Sequence, residues 1–111
     1  MPFTPVDLAA PSDGSGPLWG MQSDELNATL LAWPPGAGVA EHVNGELETV
    51  IVVLDGSARV CVDGTELELS VHQLLVLPRG SARSLTAGPD GVRYLSLHRR
   101  RGPLLPGPRA R

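Results

Sequence analysis

GAGVAEHVNGELETVIVVLDG, residues 36–56, is the stretch whose reading decides the fold. Its second half, TVIVVL at 49–54, is apolar at every position but the first, so side chains on both faces of an extended segment want to leave water. A short run of that kind, closed by Asp55-Gly56, reads as a central strand covered on each side. Residues 39–44 form a second strand candidate just before it.

Working outward, the punctuation stays dense and regular. Residues 26–33, LNATLLAW, form a strand candidate ended by Pro34-Pro35. Asp55-Gly56 and Asp63-Gly64 bracket ARVCV, and Asp63-Gly64 is a strong two-residue hairpin signal leading into TELELS. In TELELS the alternation places Leu67 and Leu69 on one face and Glu66 and Glu68 on the other, as in a half-exposed strand. QLLVLP, SARSLT and VRYLSLH follow, the last two joined by the turn-rich residues 87–91. About eight short strands at this spacing, without a helical period, point to an all-β sandwich or barrel.

A chain of 111 residues buries one core, and 41% hydrophobic content is ordinary for a globular domain. Three segments are expected: an extended arm at 1–20 rich in Pro and Gly, a barrel at 21–99, and a basic, Pro- and Gly-rich tail at 100–111. The net charge of −3 hides an asymmetry, because five of the nine basic residues, all of them Arg, fall at 99–111. Those five charges are interrupted by Gly102, Pro103, Pro106, Gly107 and Pro108, so the tail reads as solvated. Four aromatic residues, Phe3, Trp19, Trp33 and Tyr94, are too few to stack a run of bases, so nucleic acid is not an expected partner. Cys61 is the only cysteine, which excludes an intrachain disulfide. No secretory signal or membrane-length apolar run is legible, so a cytoplasmic location without a membrane partner is the expectation.

The 36–56 stretch resembles the first motif of the cupin family: Gly, five residues, His-x-His, three or four residues, Glu, six residues, Gly. Gly36, His42 and Gly56 match it; Asn44 stands at the second His, and Thr49 at the Glu if the register runs back from Gly56. Counting forward from Asn44 with the shorter gap puts Glu48 there instead. The second motif, Gly, five residues, Pro-x-Gly, two residues, His, three residues, Asn, is matched in part at 72–87. Pro78 and Gly80 agree, whereas His72, Arg83 and Ala87 replace the first Gly, the His and the Asn. The resemblance covers about half the chain and implies a small antiparallel jelly-roll barrel.

In that family the motif residues converge on one divalent metal. Their counterparts here, His42, Asn44, Thr49 or Glu48, and Arg83, are therefore expected to converge. A guanidinium has no lone pair to donate, so Arg83 at a ligand position repels a cation and attracts an anion. If a divalent transition metal binds, His42 and Glu48 are its ligands, with Asn44 and His98 in support. Otherwise Arg83 either pairs with Glu48 inside the old site or binds a ligand.

Two functions follow from the resemblance. One is a module binding a small anionic or carbonyl-bearing molecule, with Asn44, Glu48, Thr49, Tyr94 and His98 around it. The other is an isomerase, cyclase or lyase in which His42 and Arg83 are catalytic, as acid or base and as oxyanion stabiliser; a metal-dependent oxygenase is a third, weaker option. His72 reads as a turn residue and Cys61 as a small buried hydrophobe. A homodimer is expected, with Phe3, Val6, Leu8, Leu18 and Trp19 of the arm contributing.

Overall fold

The computed structural model describes residues 4–9 and 14–100; Phe3 and the tail beyond Arg100 lie outside the described residues. Seven strands follow one another: β1 (Gly16–Gln22), β2 (Leu26–Trp33), β3 (Gly38–Val43), β4 (Thr49–Val62), β5 (Thr65–Ser70), β6 (Leu74–Leu77) and β7 (Ala82–Arg99). All pairings are antiparallel. Among the described residues no helix is long and apolar enough to cross a membrane.

Two long strands, β4 and β7, organise the jelly roll by running through both of its layers. The first half of β4 pairs with β6 and with the second half of β7, which in turn pairs with β2, and β1 closes that edge. The second half of β4 pairs with β5 and with the first half of β7, where β3 is added. The layers are thus β1-β2-β7-β4-β6 and β3-β7-β4-β5.

The change of layer happens at glycines. Gly56 and Gly91 both have positive φ, 74° and 77°, and the β4–β7 register shifts between Val53 and Asp55 and again between Gly56 and Ala58. The segments read from sequence as four short strands, 49–54, 58–62, 81–86 and 92–98, are therefore two bent ones. Bulges of this kind sharpen twist and bend a strand without ending it. Residues 16–20, read as part of the arm, lie within β1.

Period two then fills the interior. Ile51 and Val53 of β4, Ala58 and Val60 beyond the bend, Leu85, Ala87, Val92 and Tyr94 of β7, and Leu69 and Leu77 make one buried cluster. The opposite face of the five-stranded layer is apolar as well. Register puts Met21, Ala28, Leu97, Val50 and Val76 in one row across the five strands, and Trp19, Leu30, Leu95, Val52 and Leu74 in the next. None of these ten belongs to the cluster between the layers, and of them Ala28 and Leu30 are buried while the other eight are at least partly exposed. Val76 and Leu74, at the β6 edge, are 43% and 58% exposed.

Candidate functional site

Between the layers lies a cavity of about 260 Å³. Its apolar wall is built by alternate residues of facing strands: Leu31, Val39, Ile51, Val60, Leu77, Leu85 and Tyr94. His42, Asn44, Thr49, Arg83, Ser84, Ser96 and His98 supply the polar lining. Register explains the convergence, because Thr49 opposes both Leu77 and His98 while Arg83 opposes both His42 and Val62.

Arg83 is the centre of the polar lining. It is only 5% exposed, yet its Nη1 donates to the Pro78 carbonyl (3.2 Å) and Ser81 Oγ (3.1 Å), and its Nη2 to Thr49 Oγ1 (3.4 Å). All three acceptors are neutral, and Nε is buried with no partner among the described residues. Burial pushes the guanidinium below its ordinary value, though an arginine stays cationic. A desolvated cation without a counter-charge is costly, so this one is a standing attraction for an anion.

Several neighbours are already committed. Asn44 Oδ1 accepts from the backbone N–H groups of Glu46 (2.9 Å) and Leu47 (3.0 Å), an Asx turn that brings Leu47 into a buried position. Only its amide nitrogen remains free. His98 Nδ1 donates to the Arg99 carbonyl (2.9 Å), which in the neutral ring leaves Nε2 as acceptor for Asn27 Nδ2 (3.3 Å). His42 Nδ1 likewise donates to the Ala40 carbonyl (3.0 Å), but its Nε2 has no partner among the described residues. Tyr94 Oη accepts from Trp33 Nε1 (3.3 Å); burial raises its pKa and that bond partly opposes the rise.

Of the two residues competing for the Glu position, Thr49 lines the cavity. Glu48, one residue earlier and so on the opposite face, is exposed and lines an outer cleft with Leu26, Arg79, Leu97 and Arg99. An internal Arg83–Glu48 pair is therefore not formed. Cys61, opposite Glu66 and Ser84, is half-buried and does not line the cavity. His72 has φ of 72°, as a turn residue in place of glycine would. Sequence reasoning missed Ser96, whose parity with Tyr94 and His98 was the available signal, and Ser81, which holds the Arg83 fork.

Solved structures share this architecture. A cupin protein from Bacteroides fragilis matches with a TM-score of 0.70 and 19% identity over 89% of this chain and 88% of that one. The chain has the cupin fold. The Cnp3 cupin domain of Schizosaccharomyces pombe matches at 0.67 and 21% identity, covering 76% of this chain, which spans 61% of that domain's length. KdgF from Halomonas sp. matches at 0.68 and 20% identity over 74% and 76% of the two chains. No family model and no curated protein matches the sequence. Likeness at such identities carries the cupin fold and not its chemistry.

The metal implied by the cupin resemblance does not fit this donor set. A catalytic metal site uses about three dependable protein ligands. Arg83 has no lone pair, Asn44 Oδ1 and both His98 nitrogens are engaged, and Glu48 points elsewhere. Only His42 Nε2 is left, and among the described residues no three His, Cys, Asp or Glu side chains come together.

Proposed function

We propose that this cupin domain binds a small anionic or carbonyl-bearing molecule in the cavity between its layers. The observation that carries the reading is the buried Arg83 guanidinium, which lines the cavity with no carboxylate paired to it among the described residues. A carboxylate arriving there gains charge-assisted hydrogen bonds, among the stronger polar contacts available to a protein. Asn44 Nδ2 and the Ser96 hydroxyl provide further donors. Benzoate and benzamide have nearly the same shape and differ in charge. Calorimetric titration is expected to detect benzoate and to find benzamide weaker by about tenfold or more, the worth of one charged hydrogen bond. Equal affinity for the two would reject the anion site.

One observation favours an enzymatic second reading: His42, with Nε2 unpartnered, stands directly opposite Arg83 in the β3–β7 register. A base beside a cation suits an isomerase, cyclase or lyase, with His42 moving a proton and Arg83 holding the developing oxyanion.

We infer also that two copies of the chain pair through the outer face of the five-stranded layer. Ala28 and Leu30 of these rows are buried within the chain, and the other eight side chains, across five strands about 4.8 Å apart, form a patch of the kind that marks an interface. Its border carries Glu48, Arg79 and Arg99 along one cleft, with no ion pair among them. Mixed charges at one rim suit a two-fold partner, because the same patch faces itself with Arg against Glu. Light scattering at micromolar concentration is expected to give twice the 11.7 kDa chain mass. Leu74→Glu combined with Val76→Glu, on exposed positions of the short β6, is expected to give a folded monomer. A wild-type monomer, or a double variant that remains dimeric, would refute this face.

A further inference from the structure

Resting on the anion-site reading, we propose that the ligand is a monocarboxylate with an apolar body, and not a polyhydroxylated acid. Half of the residues lining the cavity are apolar, and several of the polar ones are held by internal hydrogen bonds, Asn44 through its Oδ1 and His98 through both ring nitrogens. The wall formed by Leu31, Ile51, Val60, Leu77 and Leu85 offers no hydrogen-bonding side chain. A sugar acid placed there would strip water from several hydroxyl groups and return bonds to few of them, each loss being unfavourable. An alkyl or aryl body loses nothing of the kind and gains by leaving water.

Size and charge set further bounds. A volume of about 260 Å³ equals roughly nine water molecules at 30 Å³ each, so a body such as that of hexanoate or benzoate fills it. One guanidinium serves one carboxylate, and among the described residues no second arginine lines the cavity. The donors left after internal bonding, Asn44 Nδ2 and the hydroxyls of Ser84, Ser96 and Tyr94, allow a few further acceptor atoms on the ligand.

The test is a homologous series. Formate, propionate, butyrate and hexanoate are titrated into the full chain alongside gluconate, with binding followed by calorimetry. Affinity is expected to rise about fourfold per added methylene, the fold-change that corresponds to burying one CH₂ group. Gluconate, of similar length to hexanoate, is expected to bind no better than formate. Leu31→Asn, which keeps the number of side-chain heavy atoms and makes one wall polar, is expected to weaken hexanoate about tenfold and to flatten the rise in affinity from formate to hexanoate.

The outcomes separate the two claims. A flat series, or gluconate equal to hexanoate, with binding still lost in Arg83→Met, would overturn the apolar-body inference while keeping the anion site. Binding of no member of the panel would remove both. Chain-length dependence that persists unchanged in Arg83→Met and in Leu31→Asn would locate the alkyl chain outside this cavity and overturn the inference.

Discussion

Gly56→Ala is expected to cost about 4 kcal/mol or more, a large share of the stability of a domain this size. Two effects add. The residue has φ of 74°, where a Cβ costs about 1–2 kcal/mol by itself. A Cβ there would also run into the backbone carbonyl of Gly91, at the bend where β7 crosses β4. Neither partner can step aside, because Gly91 sits in its own positive-φ bend against the Trp33 carbonyl. Losses of this size belong to a short list of mechanisms, backbone strain among them, and the whole domain holds only about 5–15 kcal/mol. Gly64→Ala is the control: its φ is 85°, but nothing lies within 4 Å of the added Cβ. Only the conformational cost of about 1–2 kcal/mol should then appear in a urea melt. Equal destabilisation of the two variants would show that the crossing contact is unimportant.

That contrast also explains how far the fold was legible. Strand existence follows from period two, so residues 26–33 and 65–70 were readable to the residue and the Asp63-Gly64 hairpin was correct. Continuity was not readable. A glycine that ends a strand and one that bends it between layers look alike in sequence, since the difference lies in what crosses nearby. β1 escaped notice because its Pro17 and Gly16 and Gly20 suggest an arm, and prolines of that kind are tolerated at a sheet edge.

The site was legible where chemistry alone decides and illegible where register does. Arg83 could be named from its motif position, and its inability to bind metal follows from the guanidinium itself. Thr49 against Glu48 could not be decided, because one residue of slip sends a side chain to the other face. Pairing of Thr49 with Leu77 and His98 settles it. Asn44 and His98 were expected around the ligand. Both line the cavity, yet most of their hydrogen-bonding capacity is spent on the protein, a fact that only the turn and the neighbouring carbonyl reveal.

Arg83→Met is expected to remove carboxylate binding and at the same time to make the unliganded protein more stable. Met keeps much of the apolar stem and deletes the charge. The lost bonds strand nothing: the Pro78 carbonyl still accepts from the Ser81 N–H (3.2 Å) and Ser81 Oγ (2.7 Å), and the contact to Thr49 is long at 3.4 Å. No internal carboxylate is left unpaired, since Glu48 is exposed on the other face. Replacing buried ionic groups by apolar ones of similar volume is often neutral or stabilising by about 1–4 kcal/mol. In a domain of this size each kcal/mol moves the melting temperature by about 4–8 °C. Wild type, by contrast, should gain about 2.7 kcal/mol from a carboxylate at a hundred times its Kd. The variant should therefore melt higher than wild type without ligand and show no further rise with it. Loss of apo stability would make Arg83 a structural strut that ties the 78–81 turn to β4, and an undiminished ligand response would move the site elsewhere. Only a residue held in place against its own solvation, for the sake of what it binds, gives both a stability gain and a binding loss from one substitution.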